Sequence, residues 1–488
     1  MCGDRSGHNE NKLFVSRLSP QRQTRKAVDY VDSLRAVTGC DRPFLCLSFV
    51  DFTAVGLYNN GMIDGGTHML TTAPMGTKDI LPGESAKWQY MERVIREACA
   101  AFGYREIRIP TFEHTELFLR SVGNTTDIVQ KEMYTFEDKG GRSITLKPEG
   151  TAGVARAFVE HSLYNEPLPL KCYYLYNSCF RYERPQAGRL REFHQFGVEA
   201  FGAQQATVDA EVILLSCVIL GKMGLANLTV NLNSIGCPVC RPKYHETLLA
   251  YLREKQDGLC HACKERIERN PLRVLDCKEE GCHAIAKDAP KSMDHLCEDC
   301  HDHFETLKTC LTDAGVDYIV NPFIVRGLDY YTKTVFEIIS ADLGAQSTLC
   351  GGGRYDGLIE EVGGPKTPGI GFGMGMERLL MVLEAQGKLP PDLDTRPVFI
   401  AAMGDEARLA AWKLAMELRQ NGVAAECDHM GRSLKAQFKY AGKLGCPQVV
   451  VVGEQELATG QWKLKDMTTG EERTVERASL VTEWKGIG

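Results

Sequence analysis

The stretch CFRYERPQAGRLREFHQFGVE, residues 179–199, decides how the chain folds. Arginines, glutamates and glutamines crowd its middle around Pro185 and Gly188, while its two ends read as strands. Successive strand side chains face opposite sides, so Arg181 and Glu183 share one face, and Phe193, Gln195, Gly197 and Glu199 share a face of the next strand. Neighbouring strands then offer a patterned polar floor. The plainer alternative is an exposed charged hairpin. A guanidinium on such a floor suits a phosphate, because its planar fork donates two hydrogen bonds.

Outward from this hairpin, RSITLKPE and LTVNLNSI also read as strands, and residues 208–223 as a helix. Upstream, Ser85 is placed to cap a helix through AKWQYMERVIREACAAF, and the alternating YREIRIP ends at Pro110. Strands joined by short turns with few helices between them predict an antiparallel sheet and an α+β fold. The pattern breaks at Cys237 and resumes near Tyr318. Beyond the Pro-rich LPPDLDTRP, strands VFIAAM and PQVVVVG alternate with helices, which predicts a small α/β unit with a partly parallel sheet. The expected domains are an N-terminal extension over 1–74, a sheet domain over 75–236 and 311–390, a Cys-rich insertion over 237–310, and an α/β domain over 395–488. The extension lacks sustained pattern. It is expected to be disordered, a small appendage, or an artefact of a start codon placed too early, since Met69 and Met75 precede the first well-patterned stretch.

A chain of 488 residues is too long for one core. Its formal net charge of -7 neither supports nor excludes RNA, because phosphate binding needs only a local basic surface. No apolar run is long enough to span a membrane and the N-terminus lacks the order of a secretory signal, so a cytoplasmic protein with no membrane partner is expected. In a reducing compartment, nineteen cysteines are metal ligands or buried residues. Cys237 and Cys240, Cys260 and Cys263, and Cys297 and Cys300 form C-x2-C knuckles, while Cys277 and Cys282 form a C-x4-C pair. Together they would provide four thiolates for each of two structural zinc ions, with the pairing open and His261 or His283 as alternative ligands.

Two further stretches carry chemistry. In GIGFGMGMERL, alternating glycines leave room for a flat ligand and Arg378 falls in the first turn of the following helix. It is not the G-x-G-x-x-G of a dinucleotide fold. In IVRGLDYYT, residues 324–332, Arg326 and Asp329 would fall on opposite faces of a strand, an odd arrangement within an apolar run.

Together these stretches resemble the class II aminoacyl-tRNA synthetases. The helix and strand ending at Pro110, the 179–199 hairpin and GIGFGMGMERL look like that family's three motifs, while IVRGLDYYT and CGGGRYDGL look like segments peculiar to the histidyl-tRNA synthetases. The resemblance implies an antiparallel catalytic sheet of six to seven strands, a homodimer built through the first motif, and a C-terminal anticodon-binding domain. It also implies activation of L-histidine by ATP with Mg2+, then transfer to histidine tRNA. Carried over by position, Arg181 would hold the α-phosphate, Glu183 the adenine edge, Phe193 would stack on the base, and Arg378 would grip the γ-phosphate. Glu149, Gly150, Thr151, Gln195 and Glu199 would surround the histidine ammonium, and Tyr330 and Tyr331 its imidazole. Arg326 resembles the arginine that acts at the α-phosphate, which makes Arg326 and Arg181 the catalytic pair. Gln186, Arg189 and Arg191 would face the tRNA acceptor end. One departure stands out: Lys147 occupies a position where the family more often has arginine, and it is not placed in the site. The competing expectations are a non-catalytic regulatory relative and a tRNA-binding sensor.

Overall fold

The computed structural model describes residues 72–123, 126–277, 279–325, 328–346, 348–391, 393 and 396–485. The chain divides after Thr72 into two units, so the expected N-terminal extension, with its start-site reading, lies outside the described residues except for its last three positions.

The second unit begins with α1 (Glu84–Ala101), whose Met91, Val94, Ile95 and Ala98 recur at helical spacing and are buried. Ser85 does not cap it. The helix starts one residue earlier, behind Gly83 at φ 90°, a left-handed conformation glycine adopts without strain. Then follow β1 (Arg105–Glu106), β2 (Phe112–His114), β3 (Tyr134–Glu137), β4 (Ser143–Leu146) and α2 (Thr151–Glu160). The long hairpin is β5 (Leu170–Phe180) and β6 (Glu192–Phe201), succeeded by α3 (Ala206–Lys222) and β7 (Leu228–Ser234). The Cys-rich segment supplies α4 (Arg241–Glu254), three short helices and α5 (Glu298–Asp313). The chain returns through β8 (Tyr318–Val320), β9 (Thr332–Ser340), β10 (Thr348–Arg354), β11 (Gly369–Gly375) and α6 (Met376–Ala385).

The main sheet has the order β1-β5-β6-β11-β10-β9-β7-β8. Its six central strands are antiparallel neighbours, and β1 and β8 add short parallel edges. The stretch RSITLKPE forms β4 of a separate small sheet, β2-β4-β3, rather than a strand of the main one. One face of the main sheet packs on α1, α3, α5 and α6. α3 is apolar on nearly every side because it is wedged between the sheet, α1 and α5.

The insertion holds a core of its own, built on Tyr244, Leu248, Leu252, Leu259, Ile267 and Val274. The expected boundary at 310 cuts α5, whose Phe304, Leu307 and Leu311 belong to the catalytic core.

The last domain contains β12 (Val398–Ala402), α7 (Asp405–Gln420), β13 (Ala425–Cys427), α8 (Leu434–Lys443), β14 (Gln448–Val452), β15 (Gln461–Asp466) and β16 (Glu472–Glu476). β12 runs parallel to β13 and β14, while β14, β15 and β16 are antiparallel. The continuous apolar run of β12 suits a strand buried on both faces.

Candidate active site

An open cleft lies on the sheet between the β5–β6 hairpin, the start of β10 and the end of β11. Arg181, Glu183, Phe193 and Gln195 enter it from the hairpin, Gly373 and Gly375 from β11, and Glu377 and Arg378 from the start of α6. Arg181 is oriented by donation from Nε to Pro148 O (2.9 Å), and its guanidinium sits 5.4 Å from the Phe193 ring centroid. Arg378 is anchored twice to backbone, through Nε to Gly188 O (3.1 Å) and Nη1 to Thr348 O (2.7 Å). The hairpin turns over Gln186–Arg189, closed by reciprocal backbone bonds, with Gly188 at φ 69°.

Below Gln195 the floor continues inward to a buried aromatic pocket. Gln195 Oε1 accepts from Gly150 N (3.0 Å), which ties the floor to the start of α2. Glu149 accepts from Thr151 N and Ala152 N at 2.8 Å each, so its carboxylate satisfies two N–H groups that the helix start would otherwise leave unpaired. Glu199 is fully buried, and one oxygen accepts from the Tyr355 hydroxyl. By hydrogen-bond geometry its other oxygen, Oε1, and the Tyr174 hydroxyl have no partner among the described residues, while the Thr151 and Tyr174 hydroxyls lie near enough to pull the Glu199 pKa down. Burial pushes the Glu199 carboxyl up to about 8, against the pull of the Tyr355 hydrogen bond. Tyr330 packs its ring 4.7 Å from Tyr331 and 5.5 Å from Tyr355. Burial, and then the charges of Tyr331, Glu149 and Glu199, raise the Tyr330 hydroxyl well above its ordinary value.

The glycines of β11 acquire a different reading here. A Cβ on Gly369 would strike Tyr355, one on Gly371 would strike Glu199 and the Val198 carbonyl, and one on Gly373 would strike Gln195. The stripe therefore makes room first for the site's own polar side chains, and only Gly373 and Gly375 line the cleft.

The site residues named from sequence divide into groups. Arg181, Glu183, Phe193 and Arg378 share the cleft, and Gln195 joins it to the pocket of Glu199, Tyr330 and Tyr331, beside Glu149, Gly150 and Thr151. Arg326 and Gly327 lie outside the described residues. Gln186 is exposed at the turn, but Arg189 is paired with Glu183 inside the cleft. Arg191 lies over Tyr182 at 4.2 Å and donates to Glu183 O. Lys147 is buried and donates to Pro110 O (2.9 Å), away from the cleft. Sequence reasoning missed Tyr174, Tyr355 and the pair His194–Glu377 (Nδ1 to Oε1, 2.8 Å). Burial lowers the His194 pKa, but the Glu377 hydrogen bond and charge outweigh it and hold it above its ordinary value. Tyr355 and Glu377 both stood in motifs already singled out, so the signal was proximity to glycine-rich turns.

The eight insertion cysteines gather into two sets, Cys237, Cys240, Cys297 and Cys300, and Cys260, Cys263, Cys277 and Cys282. Within each set every Sγ lies within 4.8 Å of the others. Contacts in the first are 3.8 Å for 237–240, 237–297 and 240–300, and the 260–277 contact in the second is 3.9 Å. A tetrahedral Zn2+ with Zn–S bonds of about 2.3 Å sets its sulfurs about 3.8 Å apart, so both sets fit. Backbone N–H groups of Val239 and Cys260 donate to Cys237 Sγ (3.4 Å) and Cys282 Sγ (3.1 Å), which favours thiolates. His261 and His283 are exposed and join neither set.

Comparison with known proteins agrees with this geometry. The family model described as histidyl-tRNA synthetase matches residues 76–379, and that of an anticodon binding domain matches 397–486. The histidine–tRNA ligase of Caldanaerobacter subterraneus subsp. tengcongensis is 60% identical over 407 residues, 83% of this chain and 97% of that protein. The Clostridioides difficile histidine–tRNA ligase is 54% identical over 418 residues, 86% of this chain and 99% of that protein. Among solved structures, apo Staphylococcus aureus histidyl-tRNA synthetase is similar at a TM-score of 0.73 and 40% identity, covering 85% of this chain and 100% of that one.

Proposed function

The chain belongs to the histidyl-tRNA synthetase family, and from that premise we propose that it activates L-histidine with ATP to histidyl-adenylate and transfers histidine to the 3′ end of histidine tRNA. The observation that carries the substrate assignment is the buried, unpartnered oxygen of Glu199 among tyrosines, reached from a cleft that holds Arg181 and Arg378.

An imidazole N–H supplies the donor that Glu199 Oε1 lacks, and a tyrosine hydroxyl, which both donates and accepts, can meet the second ring nitrogen. We therefore place Glu199 against the imidazole, beside Tyr330 and Tyr331, rather than against the ammonium. The ammonium is left to Gln195, Thr151 and Glu149, whose oxygens keep lone pairs beyond those taken by the helix N–H groups. A mimic without the ring N–H leaves Glu199 unpaired, at about 1–3 kcal/mol.

In the first step the histidine carboxylate attacks the α-phosphorus of Mg2+-bound ATP, the bond to the β-phosphate breaks, and pyrophosphate leaves. The carboxylate is already ionised at neutral pH, so no general base is needed. Arg181 and Arg326 offset charge building on the α-phosphoryl oxygens, Arg378 binds the γ-phosphate, Phe193 stacks on adenine and Glu183 accepts from its amino edge. In the second step a hydroxyl of the tRNA's terminal ribose attacks the carbonyl carbon and AMP leaves. Gln186 and Arg191 at the hairpin face the acceptor end, and the domain over 397–486 takes the anticodon loop, whose single-stranded bases are the readable part of an RNA.

The enzyme works as a homodimer in the cytoplasm. Exposed Phe112 and Phe136 on the small sheet after the first motif offer apolar surface for a second copy, and no helix among the described residues is long and apolar enough to cross a membrane. Each set of four cysteines holds a structural Zn2+. The test of the reaction is histidine-dependent exchange of pyrophosphate into ATP: a synthetase exchanges, and purified protein without exchange would return the chain to the regulatory or sensor readings.

A further inference from the structure

The insertion holds the segment that carries Tyr330 and Tyr331 at Val325, Asp329, Tyr331 and Lys333. Val325 packs into the insertion's own core. Asp329 Oδ1 accepts from Asn270 Nδ2 (3.1 Å). The Tyr331 carbonyl accepts from Arg241 Nη2 (2.5 Å), and Lys333 Nζ pairs with Asp299 Oδ2 (2.6 Å). The last two grips come from the two knuckles of one four-cysteine set: Arg241 directly follows Cys240, and Asp299 lies between Cys297 and Cys300.

The backbone makes the same connection. Gly236, beside Cys237, accepts from Lys333 N (2.9 Å) and from Arg241 Nη2 (3.1 Å), while Ile235 N donates to Lys333 O (2.9 Å). Gly236 has φ 72°, and a Cβ there would lie 2.8 Å from Cys240 Sγ, so the knuckle can close only over a glycine. Lys333 itself has φ 46°, a left-handed conformation that strains a lysine backbone and persists only where its surroundings hold it. Those surroundings are the first knuckle on one side and Asp299 of the second on the other.

We infer that the set of Cys237, Cys240, Cys297 and Cys300 is a metal-held clamp on the histidine pocket, in which Arg241 and Lys333 are positioning residues that fix Tyr330 and Tyr331. This rests on the zinc reading given above. Zinc joins the two knuckles, Arg241 and Asp299 carry that join to the strand, and the tyrosine pair is held where an imidazole meets it. The set of Cys260, Cys263, Cys277 and Cys282 stands in the insertion core where Val325 packs, and Asn270 between its knuckles reaches Asp329, so it holds the start of the segment rather than Tyr331 and Lys333.

The test combines metal analysis with steady-state pyrophosphate exchange on the full chain. Protein purified without chelator should carry two zinc ions per chain. Arg241→Gln should keep that zinc and raise KM for histidine about tenfold, with KM for ATP little changed. Lys333→Gly, which retains the backbone conformation but removes the Asp299 partner, should shift KM for histidine in the same direction by a smaller factor, and Arg241→Lys should recover part of the loss. Zinc-free protein as purified overturns the metal reading on which the clamp rests. Zinc intact with an unchanged KM for histidine in both Arg241→Gln and Lys333→Gly overturns the clamp alone, and so does an equal rise in both KM values, which is the signature of general loosening.

Discussion

Glu199 is a buried carboxylate with one oxygen on the Tyr355 hydroxyl and the other without a donor, and this makes it a pH-dependent group. Its pKa of about 8 keeps it protonated in the ligand-free pocket at neutral pH. The folded chain thus holds this proton to higher pH than the unfolded chain, and its contribution to stability falls as pH rises from the ordinary carboxylate range to about 8. The ionised carboxylate accepts an imidazole N–H more strongly than the neutral acid does, so KM for histidine should fall as pH rises from 7 to 8.5. Glu199→Gln should bind histidine more weakly and lose that dependence. A wild-type KM that is flat over this range, or a slope that survives the substitution, would sink the assignment. Residue by residue, the sequence was legible where spacing sets a face, as for Gln195 with Glu199 on β6, whereas Arg181 and Glu183, read as strand neighbours, reach the cleft from the loop that follows β5 at Phe180. It was silent where the partner comes from distant chain. The bond from Tyr355 to Glu199 depends on how strands close against each other, which no local pattern encodes.

At the scale of the element, β11 shows how a motif can be located correctly and explained only in part. Alternating glycines suggested space for a flat ligand. The register of β11 against β6 shows that the space is taken largely by Glu199 and Gln195, which lean across from the neighbouring strand. Gly371→Ala puts a methyl group onto the Glu199 carboxylate and the Val198 carbonyl, neither of which has room to move in a fully buried sheet. It should destabilise the domain by about 2–3 kcal/mol and lower exchange activity about a hundredfold through the displaced carboxylate. Urea unfolding and exchange kinetics check the two effects separately, and a stable, fully active variant would contradict this role for the stripe. β4, read as one strand of a single antiparallel sheet, pairs instead with β2 and β3, since a strand's sequence does not say which sheet will accept its edge.

For the whole molecule, the order of segments was legible from changes of period: antiparallel strands, a Cys-rich interruption, and a final α/β unit. The extent of the interruption was not. α5 follows Cys297 directly, carries Cys300 in its first turn and contributes Phe304, Leu307 and Leu311 to the core under the main sheet, so it belongs to both bodies and no boundary in sequence separates them. The insertion's own core takes Val325, and its Arg241 and Asp299 hold Tyr331 and Lys333, so it is tied to the segment that carries the tyrosine pair. Together these parts charge histidine tRNA, and the decisive experiment is acid-precipitable incorporation of radiolabelled amino acid into that tRNA by the purified chain with ATP and Mg2+. Histidine alone of the standard amino acids should charge the tRNA, to a plateau near one per molecule. No charging, or charging with an amino acid that lacks an imidazole, would contradict the assignment.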